Sequence, residues 1–173
     1  MRIVAGKWAG RDLTSPGGRV RPTAEPVREE CMRLVGDVKG TRVADLYAGT
    51  GALGLEAMSR GAKRVDFVEG NPEALHALKA NIAAFRARNK TRVFRKTSLD
   101  FIEGIEPPGY DVAFADPPYQ SQQAMRVAER WLAQPFSRVF VIEHATTLEL
   151  PRGGRRHPLG DTTLTVYRNA APK

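Results

Sequence analysis

Two short stretches of this 173-residue sequence carry residue types that could perform chemistry, and the first is DPPY at residues 116–119. It follows the apolar run 112–115, which is typical of a buried strand. Proline cannot donate to a strand ladder, so Pro117 and Pro118 end the strand and stiffen the chain after it. Asp116 is therefore predicted at the carboxyl end of a strand, where open α/β sheets bind ligands. Taken alone, the stretch is explained equally well by a turn cap at Asp116 and an edge-covering Tyr119.

The second stretch, DLYAGTGALGLEA, lies between a predicted strand and a predicted helix, and its glycines are Gly49, Gly51 and Gly54. Glycines there let the main chain approach a ligand, and the start of the helix offers unpaired N–H groups. Asp45, just before the loop, would repel a pyrophosphate but suits a cationic ligand. Glu69 ends the next predicted strand, a position from which a carboxylate can accept hydrogen bonds from ribose hydroxyls. Together the two acids favour S-adenosylmethionine, which has a ribose, an amino group and a sulfonium but no phosphate; a solvated strand-end carboxylate is the alternative for Glu69.

Strand and helix signals alternate around both stretches. The predicted strands are 42–47, 64–69, 92–96, 110–115 and 138–144; the predicted helices are 29–38, 52–60, one that begins after the capping Asn71, one near 99–104, and 122–134. This alternation implies an α/β fold with a mostly parallel sheet that is covered on both faces. The tail RRHPLGDTTLTVYR predicts an antiparallel hairpin with a turn near Gly160, and RIVAGKWAGRDL predicts a further hairpin at the N-terminus.

Composition narrows the class of protein. The net charge of +8 favours an acidic partner such as nucleic acid, because clustered cations gain by displacing counterions from phosphates. No apolar run approaches a membrane-spanning length and no N-terminal signal pattern is present, so we expect a cytoplasmic protein without a membrane partner. One cysteine, Cys31, and three scattered histidines offer no metal-ligand spacing, so no metal is expected.

Together, DLYAGTGALGLEA, VEGNPEAL and DPPY resemble class I S-adenosylmethionine-dependent methyltransferases that act on amino groups. RIVAGKWAGRDL, the RPT and VRE segments and the length resemble more narrowly the bacterial 16S rRNA guanine-N2 methyltransferase family. The resemblance implies a Rossmann-like, seven-stranded sheet with a C-terminal antiparallel hairpin. It also implies a monomer that methylates small-subunit ribosomal RNA and prefers a partly assembled subunit to naked RNA. Pro26 departs from the family pattern, which usually has an arginine there.

The resemblance divides the chain into an RNA-binding extension, residues 1–38, and a methyltransferase domain, residues 39–173, within one structural unit. The predicted RNA-binding residues are Trp8, Arg19, Arg21 and Arg28; core packing for Trp8 and a solvated basic loop for the arginines are the alternatives. The predicted cofactor-binding residues are Asp45, Tyr47, Gly49, Thr50, Gly51, Gly54, Glu69, Asn71, Ser98, Leu99 and Asp116. For Ser98, a helix N-cap is the alternative to adenine contact.

The catalytic role falls to residues 116–119. An exocyclic guanine amine is a poor nucleophile, because its lone pair is delocalised into the ring. The Asp116 carboxylate and the Pro117 carbonyl can accept its hydrogens, Pro118 holds that carbonyl in place, and the Tyr119 ring offers a face on which an extruded base can stack. Whether Asp116 takes a proton or only orients the amine stays open. One alternative is a DNA adenine or protein amide methyltransferase, although these enzymes usually have asparagine in place of the aspartate of DPPY. The other alternative is a non-catalytic RNA-binding domain of this fold.

Overall fold

A computed structural model describes residues 1–15, 23–106, 109–119 and 122–169. Its helices are α1 Glu25–Val35, α2 Ala52–Ser59, α3 Pro72–Ala84, α4 Ser98–Glu103 and α5 Gln123–Ala133, with a short 3₁₀ turn at Arg88–Lys90. Its strands are β1 Arg42–Leu46, β2 Arg64–Val68, β3 Thr91–Phe94, β4 Tyr110–Ala115, β5 Ser137–Ala145, β6 Arg155–Leu159 and β7 Thr162–Arg168.

The seven strands form one sheet in the order β3-β2-β1-β4-β5-β7-β6. The first five strands run parallel, whereas β7 pairs antiparallel with both β5 and β6. The predicted α/β class, the mostly parallel sheet and the C-terminal hairpin are therefore confirmed. The strand order reverses direction between β1 and β4, and open α/β sheets bind ligands beside such a point.

The central strands are apolar because helices cover both faces of the sheet. Alternate residues of β1 and β4 enter two separate cores: Val43 and Phe114 pack on the face of α1, α2 and α3, and Ala44 and Ala113 on the face of α4 and α5. Burying a large apolar side chain such as Phe114 stabilises the fold by roughly 1.5–3 kcal/mol. These cores fix the strand ends, which carry the polar side chains of the site.

The first helix begins earlier than predicted, at Glu25 instead of residue 29. Pro26 occupies the first turn, where its missing N–H is not needed, so it fits the start of the helix. The helix also ends earlier, because Gly36 adopts a φ of 80° that other residues rarely accept.

The N-terminal segment is bound to α2. Its predicted hairpin is reduced to a single antiparallel bridge between Arg2 and Asp12. The buried Glu56 carboxylate instead accepts hydrogen bonds from the main-chain N–H groups of Val4 and Ala5, at 2.8 and 3.0 Å. Three main-chain hydrogen bonds still join the two halves of the segment, Ile3 N to Arg11 O, Gly10 N to Ile3 O and Leu13 N to Met1 O, and the bonds to Glu56 hold it on α2.

Trp8 belongs to this packed segment, so its predicted role in RNA stacking is wrong. The side chain is only 9% exposed, and its ring lies 4.9 Å from that of Phe85, centroid to centroid. The Trp8 main-chain N–H donates to the Ser59 hydroxyl at 2.9 Å.

Within the described residues, no helix is long and apolar enough to cross a membrane.

Candidate active site

The carboxyl ends of β1, β2, β4 and β5 meet at one edge of the sheet. An open cleft lies there, next to the reversal of strand order. Its lining comprises Thr23, Tyr47, Ala48, Gly49, Thr50, Ala52, Glu69, Asn71, Ala74, Asp116 and Pro118. The structure therefore brings residues from the predicted cofactor set and from DPPY to the same cavity.

The glycine loop turns sharply between β1 and α2. Tyr47, Gly49 and Gly51 all have positive φ, at 60°, 54° and 83°. A left-handed conformation is unusual for an aromatic residue, and such strain, about 1–3 kcal/mol, tends to occur at functional sites. The turn lets Gly49 and Thr50 line the cleft with main-chain atoms.

Two of the predicted ligand glycines serve packing instead. A Cβ on Gly51 would lie 2.5 Å from Leu78 Cδ1, and a Cβ on Gly54 would lie 2.4 Å from Phe67 Cε1. Both positions face the core under the loop, so their missing side chains allow α2 to approach β2 and α3. Packing therefore accounts for glycine at both positions, and the approach of a ligand to their main chain stays a prediction.

Asp45 lies beneath the loop, where it is 2% exposed, and it does not line the cleft. Its Oδ2 accepts the N–H of Gly54 at 2.8 Å, within the first turn of α2. Burial, with smaller contributions from the charges of Asp116 and Glu69, raises the pKa of Asp45 to about 8, although the Gly54 N–H opposes the shift. Asp45 therefore supports the loop from below, which corrects the prediction that it faces a cationic ligand directly.

Glu69 holds the outer side of the same loop. Its Oε2 accepts the Gly49 N–H at 2.8 Å and its Oε1 accepts the Asn71 N–H at 2.7 Å. The Asn71 side chain in turn accepts from Glu73 N and Ala74 N, which confirms Asn71 as the N-cap of α3. Each carboxylate oxygen can accept a further hydrogen bond, so ribose hydroxyls fit beside these main-chain contacts.

A second hollow adjoins the cleft on the side of β3. Its lining is Tyr47, Val68, Glu69, Gly70, Lys96, Thr97, Ser98 and Gln123. The Ser98 hydroxyl accepts the Tyr47 main-chain N–H at 3.2 Å, and Leu99 is half-buried against the second core. The N-cap of α4 is Thr97, which accepts from Asp100 N at 3.1 Å, so the capping alternative for Ser98 is wrong.

The four DPPY residues differ in solvent exposure. Asp116 is half-buried, Pro117 is buried, and Pro118 and Tyr119 are exposed, with 38% of Tyr119 accessible. The Thr23 hydroxyl donates to Asp116 Oδ2 at 3.1 Å, across 93 residues of chain. Sequence reasoning missed Thr23, although it belongs to the RPT segment that carried the resemblance.

The Tyr119 hydroxyl has two polar neighbours that the sequence analysis also missed. It lies 2.8 Å from Glu143 Oε1 and 2.6 Å from Thr162 Oγ1. Glu143 stands near the end of β5, and Thr162 begins β7 in the C-terminal hairpin. The two neighbours hold the hydroxyl end of the side chain, and part of the ring remains exposed.

Arg28 is buried in α1 and cannot meet RNA phosphates, so this predicted role is wrong. It is 0% exposed, and its guanidinium donates to the carbonyls of Thr23 at 2.6 Å and Arg2 at 2.5 Å. Burial lowers its pKa, and the charges of Glu56 and other acids partly oppose the shift. The other two predicted RNA-binding arginines, Arg19 and Arg21, lie outside the described residues.

Asn81 of α3 connects the N-terminal segment to the glycine loop. Its side-chain oxygen accepts from Thr14 N at 2.8 Å, and its amide donates to the carbonyls of Thr14 and Thr50, each at 2.9 Å. Thr14 thus bonds the side chain that also supports the Thr50 carbonyl of the glycine loop. In the described ranges, no group of three acids, cysteines or histidines could hold a metal ion.

The comparisons with known proteins agree with this geometry. Residues 1–167 match the family described as "Conserved hypothetical protein 95". The putative rRNA methyltransferase YlbH of Bacillus subtilis is 29% identical, over 97% of this chain and 98% of its own. The ribosomal RNA small subunit methyltransferase D of Haemophilus influenzae is 34% identical, over 82% of this chain and 77% of its own.

Solved structures extend the likeness to the whole fold. The putative methyltransferase yhhF of Escherichia coli superimposes with a TM-score of 0.84 at 26% identity and covers 99% of both chains. The putative methylase HI0767 of Haemophilus influenzae gives a TM-score of 0.81 at 26% identity and covers 98% of both. The sheet is therefore the Rossmann-like class I methyltransferase fold, and the chain belongs to the Conserved hypothetical protein 95 family, a family of rRNA methyltransferases.

Proposed function

We propose that this protein transfers a methyl group from S-adenosylmethionine to the exocyclic N2 amine of a guanine in 16S ribosomal RNA, during assembly of the small subunit. The observation that carries the proposal is that Asp116 lines the same cleft as Gly49 and Glu69. A group that accepts amine hydrogens thus borders the space that suits a nucleoside cofactor. The relatives named as small-subunit rRNA methyltransferases support the RNA substrate.

The residues around the cleft fit the cofactor. Glu69 offers lone pairs to ribose hydroxyls, and Gly49 and Thr50 offer a close main-chain approach. We assign the adenine to the hollow lined by Tyr47 and Ser98, which adjoins the cleft. When bound, S-adenosylmethionine supplies a methyl group on a sulfonium, which is already an activated leaving group.

The chemistry then needs an oriented amine. As the nitrogen becomes tetrahedral, its hydrogens require acceptors, and the Asp116 carboxylate with the Pro117 carbonyl supplies two. Pro118 restricts the main chain after that carbonyl, so little reorganisation remains for the transition state. The exposed face of Tyr119 stacks on the extruded base, a contact worth about 1–3 kcal/mol in proteins that bind single strands.

The remaining features of the proposal concern substrate and setting. The net charge of +8 suits ribosomal RNA, with residues 1–38 as an extension that contacts it beside a methyltransferase domain at 39–173. Arg19 and Arg21 remain the proposed phosphate contacts. We place the reaction in the cytoplasm, with a monomeric enzyme and a partly assembled subunit as substrate.

A tritiated methyl-transfer assay tests the proposal. The purified protein is given small-subunit particles from cells that lack it, naked 16S rRNA, DNA and a protein extract. We expect label in the particles first and in naked RNA second. Digestion of the product to nucleosides should yield N2-methylguanosine by mass spectrometry. N6-methyladenosine in the RNA would reject the guanine assignment, and label only in DNA or protein would reject the RNA substrate.

A further inference from the structure

We propose that Glu143 and Thr162 are positioning residues that hold Tyr119 by its hydroxyl, so that the ring is already oriented when the target base arrives. This inference deepens the proposed function and rests on it. The three residues, which we call the hydroxyl clamp, come from the loop after β4, from β5 and from β7.

The distances within the clamp describe a closed triangle. Tyr119 Oη lies 2.8 Å from Glu143 Oε1 and 2.6 Å from Thr162 Oγ1, and Thr162 Oγ1 lies 3.0 Å from Glu143 Oε1. The two hydroxyls bring the protons and the carboxylate accepts. Hydrogen bonds to a charged acceptor are stronger than neutral ones, so the contact restrains the tyrosine side chain more than a neutral pair would.

The clamp has a rigid base. Glu143 is 8% exposed and lies on the sheet, opposite Leu164 of β7 in the antiparallel register. The His144 carbonyl, 3.1 Å from Thr162 Oγ1, is an alternative acceptor for the single Thr162 hydroxyl proton. A partner on a buried strand moves little, whereas Tyr119 is 38% exposed on a loop and would otherwise sample several rotamers.

A buried carboxylate here calls for an explanation. No described residue donates a hydrogen bond to Glu143 Oε2, and leaving a buried acceptor unpaired is costly. An apolar residue would avoid that cost while filling the same place. The bond that Glu143 makes through its other oxygen, to the tyrosine of DPPY, is the gain that accounts for a carboxylate at this position.

The functional consequence follows from entropy. Ordering a mobile side chain when a ligand binds reduces affinity, and a side chain held in advance avoids this cost. Loss of the clamp should therefore raise the KM for RNA roughly two- to tenfold, with little change in kcat. The proposal thus gives the Tyr119 hydroxyl a role beside that of the ring face.

A double-mutant cycle tests the mechanism on the same particles. E143A, T162V and Y119F should each raise the KM by a similar factor, and E143A combined with Y119F should be no worse than the more impaired single variant. E143Q and T162S, which keep an acceptor and a hydroxyl, should restore most of the affinity. Multiplying effects in the double variant would overturn the inference, since Glu143 would then act without the Tyr119 hydroxyl.

A matched control separates the clamp from general damage to the hairpin. Y167F removes the hydroxyl of a tyrosine in β7. This hydroxyl lies outside the clamp and donates to the Pro151 carbonyl at 2.8 Å. Its KM should equal that of the wild type. A rise as large as that of Y119F, or loss of S-adenosylhomocysteine binding in T162V, would assign the effects to folding and overturn the inference.

A second readout does not depend on methyl transfer. Burial, the hydrogen bond to Glu143 and its charge raise the pKa of Tyr119 to about 12, while the Thr162 hydroxyl opposes the shift. The ¹³Cζ resonance of Tyr119, assigned with Y119F, should titrate at lower pH in E143Q. An unchanged titration would show that the clamp does not form.

The outcomes separate this inference from the proposed function. A shifted titration with wild-type KM in every variant would reject the positioning role of the clamp. Absence of RNA methylation by the wild-type protein would reject the proposed function itself.

Discussion

The cofactor side and the base side of the cleft hold their carboxylates by different means. On the cofactor side, Asp45 and Glu69 accept main-chain N–H groups of Gly54, Gly49 and Asn71, all within 20 residues of the acceptor. The base side instead binds its carboxylates through side-chain hydroxyl groups, which lie 19, 24 and 93 residues from the acceptor. Thr23 bonds Asp116, and residues 119 and 162 bond Glu143.

This difference has a physical basis. The main-chain donors belong to the loops after β1 and β2, two neighbouring strands, so this side needs only that part of the sheet. Hydroxyls from the N-terminal segment and the C-terminal hairpin reach their partners only once the sheet has assembled. The cofactor side is therefore expected to be independent of RNA, and the base side to depend on elements at both ends of the chain.

The largest effect should come from the base side. Asp116→Ala removes the proposed acceptor of the amine hydrogens in the transition state, so turnover should fall about 10²–10³-fold, as when one preorganised hydrogen-bonding group is deleted. Asp116→Asn keeps one acceptor oxygen and should lose less. Single-turnover methyl transfer measures the effect. Wild-type turnover in Asp116→Ala would remove this carboxylate from catalysis and leave the two prolines as a strand terminator.

The cofactor side should respond in binding and not in turnover alone. Glu69→Ala removes the proposed ribose acceptor and the bonds to Gly49 and Asn71, so affinity for S-adenosylhomocysteine should fall by about 1.5–3 kcal/mol, the value of hydrogen bonds to a charged group. Calorimetry without RNA measures this loss. Glu69→Gln is the matched control and should lose less; equal affinity in all three proteins would place the ribose elsewhere.

Arg28 tests how far the N-terminal segment belongs to the fold. Arg28→Ala leaves the carbonyls of Thr23 and Arg2 without their donor, so the free energy of unfolding should fall by about 1–3 kcal/mol, measured with urea. The salt dependence of RNA binding should stay unchanged.

The contrasting variant replaces Arg19 and Arg21 with alanine. It should keep its stability and flatten the salt slope by up to about 0.9 per lost phosphate contact, with the duplex value as a guide. A flatter slope in Arg28→Ala, with stability intact, would return Arg28 to the RNA interface.

An effect of a different kind, on stability as a function of pH, concerns Asp45. Its folded pKa of about 8 exceeds the usual value of 3.8, so the folded protein holds this proton more tightly than the unfolded chain. The stability that this group contributes is complete below about pH 4 and is lost as pH rises toward 8, by at most about 1.4 kcal/mol per pH unit. Asp45→Asn should gain stability relative to wild type across that window. A constant difference between the two proteins would show an ordinary pKa.

The sequence predicted the cofactor side more fully than the base side. Asn71 was correctly predicted as a helix cap, and strands β1, β2 and β4 were predicted to within a residue, because their signals are local and periodic. The start of the first helix was predicted at residue 29 instead of Glu25, although a proline such as Pro26 is common in the first turn of a helix. Core packing of Trp8 was the stated alternative to RNA stacking, whereas burial of Arg28 was missed, since its partners Thr23 and Arg2 lie outside its own helix.

The order of residues along the chain by itself determined the α/β class, the two motifs and the edge of the sheet at which they meet, because each depends on spacing within one short segment. Only the tertiary structure decided which hydroxyl meets which carboxylate. Thr23 reaches Asp116 across 93 residues, and Thr162 reaches Glu143 through the antiparallel pairing of β5 with β7. Such contacts follow from strand order and register, and neither is encoded in the neighbours of the residues that make them.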